Sequence, residues 1–415
     1  MKYLLLISFY LCWTINVYSQ IYTGPIPKPT SGYGSEGVYE VAEIAFNNPN
    51  FNGEDIRIYY PANSTSSRPT LFYSHGYGGS NPLHVIGLFN FMARKGYAIV
   101  FVPYQTVGVS IQDRYTNLLE GFRQAARTYP DIIDTTRVGF LGHSFGGGAT
   151  LATAHRCFAD NNWGQNGRFI NPSAPWYSFN LSQEDLQSFP SDTKMLTLIY
   201  TDDSTNDHRM AAEVFNNINI PTSEKDFITV LPSTVSGYEY TAGHNLPTSY
   251  AEFDAMDYYA YYRLLDALCD FTFNGNPVGK EVALGNGSEA QISMPSGMTD
   301  LVQTDQPVVT RDESLYSFPC STVANPRQAF CNTLSSTEPP TSYNYSIFPN
   351  PTQDYLMVDL PTTHPFQINI SDMMGRTMVR ESNQNRIELT NLPKGVYLMT
   401  IIQGPQTTTL KFLKE

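Results

Sequence analysis

At 415 residues, with 41% hydrophobic and 13% aromatic content, the chain can bury one large core and add a smaller second unit. Its 25 Lys and Arg stand against 38 Asp and Glu, and a formal charge of −13 argues against nucleic acid or an anionic membrane surface as a partner. Met1-Lys2, the apolar residues 3–17 and the sequence Val17-Tyr18-Ser19 read as a secretory signal over residues 1–19. No later segment reaches the ~18 apolar residues that a membrane span needs, so an exported, soluble protein is expected. Of five cysteines, Cys12 leaves with the signal. Cys157, Cys269, Cys320 and Cys331 allow three pairings, and the short, turn-rich separation of Cys320 from Cys331 favours that bridge. None has the CxxC spacing of a metal or redox site, so structural thiols or disulfides are expected, and no metal or organic cofactor is implied.

In chain order, residues 38–46 and 55–60 alternate as an antiparallel pair. Residues 70–74 form a buried strand that runs into His75-Gly76-Tyr77-Gly78-Gly79, and 83–95 carry apolar residues at helical spacing closed by Gly96. Residues 97–102 are a strand, 112–128 a helix, and 138–141 a strand that turns at Gly142-His143-Ser144-Phe145-Gly146 into a helix reaching about Cys157. Strands at 168–172, 195–200 and 227–231 then alternate with helices at 207–218 and 251–271. This rhythm gives a mostly parallel sheet with helices on both faces, over residues 20–274. Residues 275–332 are Gly/Ser/Asp-rich with short β-prone pieces such as 289–293, and read as a β-rich extension. Residues 333–342 are a linker by composition, and 343–415 hold only short strands, as in a small β-sandwich.

A strand, a serine between glycines and a helix make a nucleophile elbow, in which the turn is too tight for side chains at Gly142 and Gly146. Ser144 then needs a base and a carboxylate in the chain order serine, acid, histidine. The strand 195–200 ends in Thr201-Asp202-Asp203, and the loop after 227–231 carries Gly243-His244-Asn245. His244 is the base candidate. Asp203 is the preferred acid by spacing, with Asp202 as runner-up. Among the seven histidines only His208, just after the acid, rivals His244. His75 and His143 flank the glycine turns, His84 and His155 lie on helices, and His364 sits in the C-terminal region. Two N–H donors must hold a tetrahedral oxyanion: the backbone of Phe145 and that of Tyr77.

His75-Gly76-Tyr77-Gly78-Gly79, Gly142-His143-Ser144-Phe145-Gly146-Gly147, Asp203 and His244 together resemble the α/β-hydrolase superfamily. The nearest branch is that of dienelactone hydrolases, platelet-activating-factor acetylhydrolases and cutinase-like polyester hydrolases. The resemblance covers about residues 38–273 and implies an α/β-hydrolase fold with a Ser144–His244–Asp203 triad. Ala174-Pro175-Trp176 is similar to the segment that carries an aromatic residue beside the acyl unit in polyester hydrolases. It implies Tyr77 and Trp176 as substrate-binding residues. Phe348-Pro349-Asn350-Pro351, Asp372-Met373-Met374-Gly375-Arg376, Leu392-Pro393-Lys394-Gly395-Val396-Tyr397 and the basic end Lys411-Phe412-Leu413-Lys414 resemble the sorting domain of type IX secretion cargo. That likeness implies the type IX machinery as a partner and a secreted or surface-attached location.

The reading that unites these features is an exported serine hydrolase of carboxylic esters, with an ester substrate of small-molecule, lipid or polyester type. The alternatives are an acetylhydrolase- or phospholipase-like enzyme of short acyl chains, a peptidase on the same scaffold, and a non-catalytic surface binding protein.

Overall fold

The computed structural model describes residues 21–248, 253–333, 346–359, 366–372, 376–403 and 406–415. The expected signal segment, His364 and the expected linker beyond Thr333 lie outside them. Two compact units emerge, one ending at Ser335 and the other starting at Ser336.

In the first unit the expected N-terminal pair forms as β1 (Val41–Asn47) and β2 (Asp55–Pro61), antiparallel with Ile44 opposite Ile58. There follow β3 (Arg68–Ser74), α1 (Ile86–Lys95), β4 (Ala98–Phe101) and α2 (Ile111–Thr128). Helix α1 stops at Gly96, whose φ of 109° returns its N–H to the carbonyls of Met92 and Ala93. Helix α2 starts at Ser110, whose hydroxyl accepts from the N–H of Asp113. Next come β5 (Ile133–His143), α3 (Phe145–Asn161), β6 (Arg168–Ser173), α4 (Gln183–Gln187), β7 (Lys194–Tyr200), α5 (Arg209–Asn217) and β8 (Lys225–Val230). A small hairpin, β9 (Ser233–Val235) and β10 (Tyr238–Tyr240), precedes a π-helical stretch, Met256–Tyr262, which leads into α6 (Arg263–Asn274). Helix α6 ends at Gly275, with φ 70°.

The nine-stranded sheet has the order β1-β2-β4-β3-β5-β6-β7-β8-β11, with β11 at Val302–Thr304. From β4 through β3 and β5 to β8 every pairing is parallel, while β1, β2 and β11 join antiparallel. Each face buries its own core: α1 and α6 cover one through Leu88 and Leu264, and α2, α3 and α5 the other through Leu118, Leu151 and Val214. The central strands are apolar on both sides, as in β4, where Ala98, Ile99, Val100 and Phe101 are all buried.

The extension departs from the β-rich expectation. It opens with α7 (Pro277–Ala283) and α8 (Glu289–Ile292), and its strand content among the described residues is β11. Asn276 and Ser288 decide this, since each side chain accepts a backbone N–H of the next turn and so starts a helix. Beyond β11 the chain runs irregularly along the first unit, held by the Cys320–Cys331 disulfide and by a buried ion pair between Arg327 and Glu213 of α5 at 2.7 Å. Cys157 and Cys269 are buried thiols.

The second unit consists of antiparallel strands. Strands β12 (Ser346–Phe348), β13 (Tyr355–Asp359) and β16 (Arg386–Glu388) form one sheet; β14 (Gln367–Asp372), β15 (Thr377–Ser382), β17 (Gly395–Gln403) and β18 (Gln406–Lys414) form the other. Leu356 and Ile387 from the first meet Ile370, Met399 and Phe412 from the second in one core. No helix of the described residues is long and apolar enough to cross a membrane.

Because both members of the Glu213–Arg327 pair are almost wholly buried, removing the cation alone strands a carboxylate in the core. Arg327→Met should cost about 3–5 kcal/mol in urea unfolding, and adding Glu213→Leu should restore part of that loss.

Candidate functional site

The parallel strands end together, and the loops at their carboxyl ends carry the polar groups. Strand β5 passes through Gly142 and His143 to Ser144, which has φ 56° and ψ −122°, a strained backbone for a residue with a side chain. The conformation is held from three sides. Ser144 N–H donates to Ser173 O at 3.0 Å, and Ser144 O accepts from Trp176 N at 2.8 Å and Gly148 N at 3.2 Å. A Cβ on Gly146 would lie 2.0 Å from Ser74 O, and one on Gly142 2.2 Å from Gly146 O, so only glycine fits either place.

Strand β7 leads into Asp202 and Asp203, which part company. Asp202 binds Ala242 through both its backbone N–H (2.9 Å to the carbonyl) and its carboxylate (3.0 Å from the N–H), tying down the loop that carries His244. Asp203 is fully buried and accepts at Oδ2 from His244 Nδ1 at 2.8 Å. With Nδ1 protonated, the neutral imidazole offers Nε2 as an acceptor, 3.0 Å from Ser144 Oγ. The three side chains, brought from separate loops, thus make one hydrogen-bonded chain. Burial alone would push the Asp203 carboxyl up. The His244 hydrogen bond and charge, with the N–H groups of Thr205 (2.6 Å) and Asn206 (3.2 Å), outweigh it and hold the group below its ordinary value. His208, the rival base, instead packs edge-on against Tyr316 at 5.2 Å. Asp207, just before α5, takes the Arg209 guanidinium and the Cys320 N–H.

The two histidines beside the glycine turns have positional work. His143 Nε2–H donates to the carbonyl of His244 at 2.6 Å, joining the residue before Ser144 to the His244 loop. His75 Nδ1–H donates to Gly76 O at 2.7 Å, while its Nε2 accepts from Tyr104 N at 3.1 Å. Gly76 O also accepts from Gly79 N at 3.0 Å. In a trans peptide the N–H points opposite the carbonyl, so fixing Gly76 O aims the Tyr77 N–H the other way. Phe145 is the first residue of α3, and its N–H therefore has no intrahelical acceptor.

Tyr77, Ser144, Phe145 and Trp176 line one cavity of about 370 Å³ together with Asn206 and Phe318. The last two escaped the sequence reading, as did Arg114, whose guanidinium carbon lies 5.4 Å from the Phe145 ring centre and 5.8 Å from that of Tyr77. Asn206 Nδ2 donates to Ala174 O at 2.8 Å and reaches Ser144 Oγ at 3.4 Å. Its place three residues after Asp203 was the available signal. Phe318 had none, because it comes from the extension. Among the described residues no group of three or more His, Cys, Asp or Glu could hold a metal.

Chemically, a buried carboxylate behind an imidazole behind a hydroxyl, beside an aromatic cavity, is an arrangement able to move a proton from a nucleophile. The sheet and this group define the larger unit as an α/β scaffold with a serine, histidine and aspartate at its carboxyl edge. Residues 346–415 match the secretion system C-terminal sorting domain family, and within that span fall Phe348-Pro349-Asn350-Pro351 and the basic end. The protein is therefore secreted by the type IX system, to the cell surface or outside, and its sorting domain engages that machinery. No curated protein matches the chain.

Burial lowers His75 and His208 to about 4 and His143 to about 3, from an ordinary value of 6.5. Below pH 6.5 an unfolded imidazole takes up a proton that the folded one refuses, so stability falls as pH falls, by about 1.4 kcal/mol per pH unit for each group. The loss continues until the folded values near 4 and 3 are reached. Urea melts at successive pH values from 7 to 4 should show this slope, and His143→Gln, which keeps a donor, should make it shallower.

Proposed function

We propose that the protein is an exported serine hydrolase of carboxylic esters, built on an α/β-hydrolase fold. The observation that carries the reading is the hydrogen-bonded chain from Ser144 Oγ to His244 Nε2 (3.0 Å) and from His244 Nδ1 to Asp203 Oδ2 (2.8 Å). The strained serine on a strand-to-helix turn and the strand order around β3 and β5 support it as well.

In this mechanism Ser144 Oγ attacks the ester carbonyl carbon while His244 Nε2 takes its proton, and Asp203 stabilises the imidazolium. The carbonyl oxygen becomes an oxyanion held by the N–H groups of Phe145 and Tyr77, each worth roughly 3 kcal/mol in the transition state. Collapse breaks the bond to the alcohol oxygen, which leaves with the proton from His244, and Ser144 keeps the acyl group. A water molecule then attacks the acyl carbon and gives a proton to His244. Collapse of the second tetrahedral intermediate releases the acid and returns that proton to Ser144. One ester and one water yield one acid and one alcohol.

A fluorophosphonate probe should label the wild-type protein and leave Ser144→Ala unlabelled. On p-nitrophenyl esters from acetate to palmitate, Ser144→Ala and His244→Ala should each lower kcat by roughly 10⁴–10⁶, and Asp203→Asn by roughly 10⁴. A wild-type protein that neither labels nor cleaves any ester or aromatic polyester film sinks the proposal. Such a protein would instead be a surface binding scaffold.

A further inference from the structure

The space above Ser144 is divided in two. One lobe, the 370 Å³ cavity, is bounded by the rings of Phe145 and Trp176 and by Asn206. The other, about 600 Å³, is bounded by Gly76, His84, His244, Asn245 and Thr248 among others. Tyr77, Ser144 and Phe318 line both lobes, and so stand at the divide. His244 borders the second lobe and not the first. A general acid must touch the oxygen it protonates, which puts the departing alcohol in the second lobe and the acyl group in the first.

Phe318 is 40% exposed, so its ring adds little to the core. Its backbone is nonetheless fixed firmly. Phe318 N–H donates to Thr205 O at 2.9 Å, Phe318 O accepts from Asp207 N at 3.2 Å, and Ser317 N–H donates to Ser204 O at 2.8 Å. Arg311 Nη1 grips the carbonyls of Thr201 (2.8 Å) and Asp203 (2.7 Å), and the Cys320–Cys331 disulfide closes the segment behind. The ring stands edge-on to Trp176 at 5.4 Å. A half-exposed aromatic on a rigid mount, beside the nucleophile, fits a wall for ligand better than a core contact.

Resting on the ester-hydrolase reading, we propose that Phe318 is a specificity-determining residue that partitions the two lobes and confines the acyl lobe to compact groups, short-chain or single-ring aromatic. Taking away its ring joins the lobes and opens room for a longer chain. The test is kcat/KM across p-nitrophenyl acetate, butyrate, benzoate, octanoate and palmitate for the full chain, Phe318→Ala and Phe318→Trp. Wild type should favour acetate, butyrate or benzoate over palmitate. Phe318→Ala should raise the octanoate-to-acetate ratio about tenfold or more, and Phe318→Trp should keep the wild-type ratio. Fluorophosphonate labelling reports whether each variant retains an assembled site. Should Phe318→Ala not label, Phe318→Leu is held to the same ratio. An active wild type that prefers palmitate, or an unchanged ratio in the labelled small-residue variant, overturns the partition alone. A wild type inert to every ester and to the probe overturns the ester-hydrolase reading with it.

Discussion

How closely α3 can approach the sheet decides everything at the carboxyl edge. Added to the close approaches of Gly142 and Gly146, a Cβ on Gly148 would meet Tyr177 O at 2.5 Å, and one on Gly147 the Pro175 Cα at 2.9 Å. Backbone packs directly on backbone, from β3 through the start of α3 to the segment 173–177. Only this proximity lets Ser173 and Trp176 hold the Ser144 backbone by hydrogen bonds. Residues kept in such a conformation cost of order 1–3 kcal/mol each, which the surrounding contacts must offset. A serine on an ordinary helix start would turn its hydroxyl toward the helix as a cap. Here it has no such capping bond.

The loop after β7 is the second point of convergence. Within a few residues it sets the buried Asp203 carboxylate, fastens the loop of His244 through Asp202 and reaches the Ser144 hydroxyl through Asn206. It also receives the extension through Ser204, Thr205 and Asp207. A segment more than a hundred residues later therefore braces the Asp203 backbone and brings the Phe318 ring to the cavity at the same time. Arg311 shows the economy of the arrangement: one guanidinium holds the carbonyls of Thr201 and Asp203, and stacks 4.7 Å from the ring centre of Tyr316. His75 and His143 extend the same logic into backbone geometry. Each is neutral, each has its tautomer fixed by a carbonyl, and each orients a loop.

Much of the α/β layout was legible because burial and local signals coincide there. The apolar runs of β3, β4, β5 and β7 are buried on both faces, and Gly96 ends α1 as its place in the pattern requires. Legibility stopped where local and distant preferences differ. The residues around 83 begin as a short 3-10 turn under Asn81 before α1, and the stretch expected as one helix from 251 includes the π-helical Met256–Tyr262. The glycines and serines of the extension look like strand-and-turn material, yet two side-chain caps start helices there. Phe318 and Arg327 carried no local mark, since their partners lie 112 and 114 residues away at Asn206 and Glu213.

The sequence by itself determined the α/β class of the larger unit, the placement of Ser144, Asp203 and His244 after successive strands, and the sorting domain at its end. These are properties of periodicity, glycine spacing and short motifs, which a linear reading contains. Tertiary structure alone set Asp203 rather than Asp202 against His244, tied His143 to a carbonyl a hundred residues away and His75 to the backbone of Tyr104, and brought an aromatic ring from the extension to the cavity beside Ser144. The physical reason is that hydrogen bonds and ring contacts depend on direction and on distances of a few ångströms. Those quantities come into being only when loops far apart in the chain are folded onto one edge of a sheet.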